Sequence, residues 1–383
     1  MKRICFITGT RADYGIMAPI MHELRRHPDV SLQVVATNMH LAPQFGETVR
    51  EIEADGFKVD VKIPSLEEGD TSADMVLSMA NVLTGLATAF RNLKPDLVVI
   101  LGDRYEALAA AESAVAFNIP IAHLHGGETS EGAIDDKFRH AITQLSDFHF
   151  AATPLYVEKI ISMGKQPEKV FHSGAPGAEV KEDSEDGSKL EALWRDFNAK
   201  TGLMPGEPFI LLAFHPVTTL KDRGIQELNA TLQSLDTFIN QGYRILVTMP
   251  NSDAGNEAVS DMIEEWASSN PGKVISIKSL GSRLFHFALE NASAMVGNSS
   301  AALIEAPSHR LGAVNVGIRQ KGRAHGITVL NATANPDDIS KKLGMAVSLE
   351  MKSVLLGMPV SSLNPYFKDN ASKFIATKLI ELI

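Results

Sequence analysis

Carboxylates and imidazoles recur at short intervals between residues 102 and 140, in the runs Gly102-Asp103-Arg104-Tyr105-Glu106, His123-Leu124-His125-Gly126-Gly127-Glu128 and Asp135-Asp136-Lys137-Phe138-Arg139-His140. These are the groups that take up and return protons near neutral pH. Asp103 fits a general base, or the N-cap of a helix starting at Tyr105, and spacing alone favours the cap. His123 and His125 would share one face of a strand. No third ligand at motif spacing accompanies them, which argues against a metal. His123 reads as a satisfied core histidine and His125 as a site residue. The pair Gly126-Gly127 permits close approach of backbone to a ligand, and Glu128 beside it is a candidate acid. Asp135 and Arg139 lie four apart, as do Asp136 and His140. Surface ion contacts are the plainer account of both pairs, against a carboxylate and guanidinium presented together to a substrate.

A second set suits an anion. Gly9-Thr10-Arg11-Ala12-Asp13-Tyr14-Gly15 follows an apolar run and opens a helix, a place where backbone N–H groups and Arg11 can meet a phosphate. An ordinary strand–helix turn with an exposed arginine weighs equally. The run matches neither a phosphate-loop nor a dinucleotide fingerprint, so kinase and dehydrogenase readings lack their motif. In the second half, His215 ends one strand, Asn251 and Asp253 follow another, and Ser299 and Ser300 follow a third, with Glu305 further along the helix they open. Hydroxyls and N–H groups at a helix start suit a diphosphate, and a carboxylate such as Glu305 can accept from two ribose hydroxyls. Each has a capping account as well. Three such loops in one half point to a nucleotide. Arg319 heads a short basic run, Arg319-Gln320-Lys321-Gly322-Arg323, fit for phosphate contact or for a solvated loop.

These residues need strands behind them. Continuous apolar runs predict strands at 4–8, 32–36, 97–101 and 119–124, alternating with helices over 14–26, 75–93 and 105–117. Such alternation indicates a parallel sheet covered on both faces. The second half predicts strands at 209–214, 244–249, 274–277, 294–296 and 313–316, and a last amphipathic helix over 367–383. The acidic tract 181–188, followed by a polar helix and Gly206-Glu207-Pro208, marks the best domain boundary. The expected organisation is a Rossmann-like domain over 1–178, a linker region over 179–208, a second Rossmann-like domain over 209–364 and a terminal helix over 365–383. Two such sheets would place a cleft at the carboxyl ends of their strands.

Composition narrows the partners. The chain has 383 residues, 44% of them apolar and 21% charged, the proportions of a globular protein of two domains. The balance of 36 basic to 46 acidic residues, net −10, argues against nucleic-acid binding. One cysteine, Cys5, excludes an internal disulfide and fits a reducing, cytoplasmic setting. The apolar start is too short for a signal peptide, and no stretch is expected to span a membrane.

Taken in order, the segments ITGTRADYG, LGDRYE, HLHGGE with GAIDD and RHAI, FHPVTT, PNSDAG, GNSSAALIEAP, RQKGR and NPYFKDNA resemble the hydrolysing branch of the UDP-N-acetylglucosamine 2-epimerases, used in sialic and related nonulosonic acid synthesis. The likeness runs along nearly the whole chain. It implies two facing Rossmann-like domains of glycosyltransferase-B type, with the last helix returning to the first domain. It implies elimination of UDP across C1–C2 of the sugar to a 2-acetamidoglycal, then addition of water to give the free 2-epimer. By motif, Asp103, Glu128, Asp135, His125, Arg139 and His215 become the catalytic candidates. Arg11, Asn251, Asp253, Ser299, Ser300, Glu305 and Arg319 become the UDP candidates. The resemblance implies a homo-oligomer, expected as a homodimer or homotetramer; no cofactor or metal site is expected. The substrate is left between UDP-N-acetylglucosamine and UDP-2,4-diacetamido-2,4,6-trideoxyglucose. Non-hydrolysing relatives usually carry Glu where this chain has His125. Ile318 stands where the family often has Asp, and Ala301 and Ala302 where it often has Ser and Gly.

Overall fold

The computed structural model describes residues 1–179 and 187–383. Most of the acidic tract expected to mark the boundary lies outside the described residues. The chain divides into two compact units, each an α/β layer structure around one wholly parallel sheet.

In the first unit the strands are β1 (Lys2–Thr8), β2 (Val30–Thr37), β3 (Val61–Ile63), β4 (Leu97–Leu101), β5 (Ile121–Leu124), β6 (Phe148–Ala151) and β7 (Val170–His172). Their order is β3-β2-β1-β4-β5-β6-β7. Both faces are covered, which explains the unbroken apolar runs. Along β1, Ile4 and Phe6 enter one core while Cys5 and Ile7 enter the other; along β4, Leu97, Val99 and Leu101 divide from Val98 and Ile100 in the same way. Cys5 is a buried core residue, and burial drives its thiol well above the usual range.

One core lies under the helices Arg11–Arg25 and Ala371–Glu381. Met17, Ile20, Met21 and Leu24 of the former share it with Ile375, Ala376 and Leu379 of the latter. Lys2 Nζ donates to the Ile380 carbonyl at 2.6 Å, and Lys368 Nζ to that of His172 at 2.6 Å. Residues 368–383 therefore belong to the first unit. The terminal helix starts at Ala371 rather than Phe367, because Asn370 before it adopts a φ of 55°.

The other core lies under the helices Ser72–Leu93 and Tyr105–Ala116. Ser72–Leu93 corrects one expectation: its 22 residues are long and apolar enough to cross a membrane by length and composition. Here Val82, Leu86, Ala89 and Phe90 are buried in the core, while Val76 and Leu77 are exposed.

The second unit's sheet runs β10-β9-β8-β11-β12-β13, from β8 (Phe209–Ala213), β9 (Arg244–Thr248), β10 (Val274–Ile277), β11 (Ala294–Gly297), β12 (Ala313–Val316) and β13 (Val329–Ala332). Two segments depart from the expected boundaries. Gly187–Thr201 is a helix, and its Trp194 and Phe197 pack on Phe287 with ring centroids 4.9 and 5.4 Å apart. This part of the expected linker is thus built into the second unit. Thr129–Ala133, expected within the first domain, also groups with the second. Glu131 N–H donates to the Lys321 carbonyl at 3.1 Å, and the Thr219 hydroxyl to that of Gly132 at 2.8 Å. A Cβ on Gly132 would lie 2.4 Å from the Ile318 carbonyl oxygen, so only glycine permits this approach.

Candidate functional site

Each sheet reverses its strand order once, between β1 and β4 in the first unit and between β8 and β11 in the second. In open α/β sheets ligands bind beyond the carboxyl ends of strands at such a point. Arg11 and Asp103 follow β1 and β4, and His215, Ser299, Ser300 and Glu305 follow β8 and β11, the strands flanking these reversals; the remaining candidates lie one strand further out, beyond β5, β9 and β12.

In the first unit, β1 runs into a capping box. Thr10 Oγ1 accepts from Asp13 N–H and Asp13 accepts from Thr10 N–H, and Arg11 opens the helix, partly buried. After β4, Asp103 is not the helix cap that spacing favours. The N-cap is Arg104, with no side-chain capping bond. Asp103 instead accepts from Arg139 Nη2, and about a quarter of its side chain is exposed. The Arg139 guanidinium is buried, and its Nη1 donates to the Glu128 carbonyl at 3.0 Å and to Asp136 at 3.3 Å. The surface-contact account of Arg139 therefore gives way to a buried hub joining two loops to its own helix. Asp136 reaches Arg139 (i,i+3) and lies 3.4 Å from His140. Asp135 is the first residue of the helix Asp135–Leu145 and is partly exposed.

At the end of β5, His123 is the core histidine its position suggests. Its Nε2 donates to the Gly102 carbonyl at 2.7 Å, and burial lowers its pKa to about 4. His125 is held differently. Its φ is 60°, its Nδ1 lies 2.7 Å from Glu128 Oε1, and both side chains are buried.

Sequence reasoning passed over a neighbouring group. Glu106 is 2% exposed and accepts from Arg104 Nε at 2.6 Å. Its carboxylate fills the space a Cβ on Gly9 would need, 2.5 Å from Oε1. Burial pushes the nearby Asp13 carboxyl up to about 7, Glu106 adds to the rise and Arg104 opposes it. Residues 13 and 9 carry the local motif, but Glu106 lies 97 positions away from Gly9 and only the fold joins them.

The second unit assembles its own cluster. His215 follows β8, with its Nδ1 accepting from Asn251 N–H at 3.4 Å. Asn298, at the end of β11, accepts from His215 N–H at 2.7 Å and donates to its carbonyl at 2.8 Å. Arg319 Nη1 and Gln320 Nε2 both donate to the Asn298 carbonyl, at 3.2 and 2.9 Å, and Arg319 Nη2 lies 3.7 Å from the buried Asp253. Ser299 is buried and Ser300 caps the helix Ala301–Ile304. That helix is a single turn, so Glu305 is its C-cap rather than a residue further along it. The Arg319 loop turns at Gly317, where Glu227 fills the space a Cβ would take and accepts from Ile318 N–H at 3.3 Å. Burial raises the Glu227 carboxyl. Asn298 and Glu227, both polar side chains buried here, were not among the candidates read from the sequence. Among the described residues, no group of three or more His, Cys, Asp or Glu side chains is placed to hold a metal.

The sequence model of the UDP-N-acetylglucosamine 2-epimerases matches residues 22–380. The chain belongs to this epimerase family. Among its relatives is the UDP-N,N'-diacetylbacillosamine 2-epimerase (hydrolyzing) of Legionella pneumophila, 36% identical over 91% of this chain and 89% of that one. The GDP/UDP-N,N'-diacetylbacillosamine 2-epimerase (hydrolyzing) of Campylobacter jejuni is 32% identical, over 88% of this chain and 86% of its own. Family likeness extends to the fold. The crystal structure of the Neisseria meningitidis UDP-GlcNAc 2-epimerase bound to UDP-GlcNAc aligns over 100% of both chains, with a TM-score of 0.81 at 19% identity. Both parallel sheets of this epimerase-family chain are thus part of a shared architecture.

Proposed function

We propose that this chain is a hydrolysing 2-epimerase of a UDP-linked 2-acetamido sugar, and that the sugar is 2,4-diacetamido-2,4,6-trideoxyglucose, the chemical description of N,N'-diacetylbacillosamine. One observation carries the chemistry: the buried Arg139 ties together the loops of Asp103, His125 and Glu128, so that carboxylate and imidazole groups converge beyond β4 and β5. Hydrolysis and the choice of sugar rest on the relatives at 36% and 32% identity that are named for them.

The reaction asks for three things. A base takes the weakly acidic C2 proton as the C1–oxygen bond to the diphosphate breaks, leaving a 2-acetamidoglycal. N–H dipoles and cations stabilise the departing diphosphate. Water then adds across the double bond, its oxygen to C1 and a proton to C2, and the free 2-epimer leaves beside UDP. Asp103, His125, Glu128, Asp135, Arg139 and His215 serve the proton transfers. Asn251, Asp253, Ser299, Ser300, Glu305, Arg319 and Arg11 serve the UDP, with Glu305 on the ribose and the two serines on the diphosphate. The enzyme works in the cytoplasm as a homodimer or homotetramer in this reading.

Incubation with either UDP-sugar and no acceptor tests it. The expected result is release of UDP with a free, 2-epimerised sugar, faster from the diacetamido substrate. UDP-sugar epimerised without net UDP release would make the chain a non-hydrolysing epimerase. No UDP release from either substrate would remove the reading.

A further inference from the structure

His125 and Glu128 form a buried pair in which one ring nitrogen is left without a partner. Glu128 is fully buried, and its Oε1 lies 2.7 Å from His125 Nδ1. A carboxylate oxygen accepts, so Nδ1 carries the hydrogen, and in the neutral ring Nε2 carries the lone pair. That Nε2 is itself buried and meets no donor or acceptor among the described residues. Burying an unpartnered polar atom carries a penalty, and so does the left-handed backbone at His125, with its φ of 60°. Both members are nevertheless held fast. His125 N–H donates to the Phe150 carbonyl at 3.0 Å, and the Glu128 carbonyl accepts from Arg139 at 3.0 Å. Asp103, the other carboxylate at this place, has an oxygen already engaged by the same guanidinium.

We propose that His125 Nε2, and not the Glu128 carboxylate, is the atom that exchanges a proton with the sugar, and that Glu128 is a positioning residue fixing the ring's tautomer and orientation. This assignment rests on the 2-epimerase reading above. In the step, the C2–H bond breaks and its electron pair forms the C1=C2 bond. The C1–oxygen bond breaks with its pair leaving on the β-phosphate of UDP. The proton passes to Nε2, and Glu128 faces the resulting imidazolium across the Nδ1–H bond. The imidazolium returns its proton to solvent after the glycal takes up water. The logic is that of a carboxylate that orients and stabilises a histidine without itself being protonated.

Three variants test it: Glu128→Gln, His125→Gln and the double variant, each assayed for UDP release, for UDP binding by calorimetry and for imidazole nitrogen signals by NMR. Glu128→Gln is isosteric and can reverse the tautomer. The expected result is a fall in kcat of about 100-fold or more for each single variant, with KM within about twofold and UDP binding kept, and no further fall in the double variant. The low-field Nδ1–H signal seen in the wild type should be lost in Glu128→Gln. Activity kept in His125→Gln but lost in Glu128→Gln would overturn the assignment, because Glu128 would then act directly. Multiplying losses in the double variant, or a wild-type ring protonated only on Nε2, would overturn it too. A wild type that releases no UDP from either sugar while keeping its Nδ1–H signal would sink the epimerase reading instead.

Discussion

Asn298 holds the backbone of His215 in both directions, accepting from its N–H at 2.7 Å and donating to its carbonyl at 2.8 Å. The side-chain amide thereby acts as a rung between the ends of β8 and β11, where the strands themselves have parted. Asn298 is fully buried, and its own carbonyl receives Arg319 and Gln320. One residue thus positions a catalytic candidate, His215, and a UDP candidate, Arg319. Asn298→Ala strands the His215 backbone groups and should cost about 2–4 kcal/mol in unfolding free energy, read by urea denaturation. It should also both weaken UDP binding and lower turnover at saturation. Unchanged stability would show that water replaces the amide without penalty.

Asp103→Asn keeps an acceptor for Arg139 but removes the charge. The expected outcome is UDP affinity within about twofold of wild type and turnover lower by about 100-fold or more, the usual scale for losing an acid–base group. Calorimetry with UDP and a UDP-release assay separate the two effects. Equal loss of both would make Asp103 a structural partner of Arg139 and nothing more.

Gly297→Ala is expected to prevent folding of the second unit. Gly297 has a φ of 133°, and a Cβ there would lie 2.1 Å from the Ala213 carbonyl oxygen, a backbone atom of β8 that cannot step aside. The penalty should exceed about 4 kcal/mol, the range reserved for changes with a definite steric cause. A soluble variant that binds UDP with native affinity would contradict the close approach of β8 and β11.

How far the residues could be read in advance follows from where their partners lie. Leu97 to Leu101 and Phe209 to Ala213 were legible because an apolar run of five between helices has one economical place, a strand covered on both faces. Val61–Ile63 and Val170–His172 escaped because three residues at a sheet edge carry no period, and only pairing with β2 and β6 makes them strands. The placing of candidates at strand ends needed only strand ends. The partner of Asp103 needed more. A local cap and a buried ion pair with a residue 36 positions away leave the same local sequence, and the fold selects the second. The Glu106 contact with Gly9 and the Glu227 contact with Gly317 are invisible for the same reason.

Buried histidines give the protein a directed pH dependence. Burial lowers the pKa of His123 to about 4, and likewise that of His40 to about 4. For His149 and His309 it falls to about 3. An unfolded histidine titrates near 6.5. Above that value both states are neutral and these groups are indifferent to pH. As pH falls below it, the unfolded chain takes up protons that the folded one refuses, so stability is lost until the folded pKa is reached. Asp13 runs the opposite way. Its carboxyl, raised to about 7, adds stability that is fully present below its unfolded value and lost as pH rises through 7. Four histidines outweigh the two raised carboxyls, Asp13 and Glu227, so unfolding free energy should fall between pH 6.5 and 4. His123 alone accounts for about 2 kcal/mol between pH 7 and 5. His123→Gln preserves a donor for the Gly102 carbonyl but cannot take up a proton. Its stability should therefore decline less steeply over that interval, by close to one proton's worth of slope in urea denaturation. Parallel pH profiles for variant and wild type would mean that His123 is protonated in the folded chain.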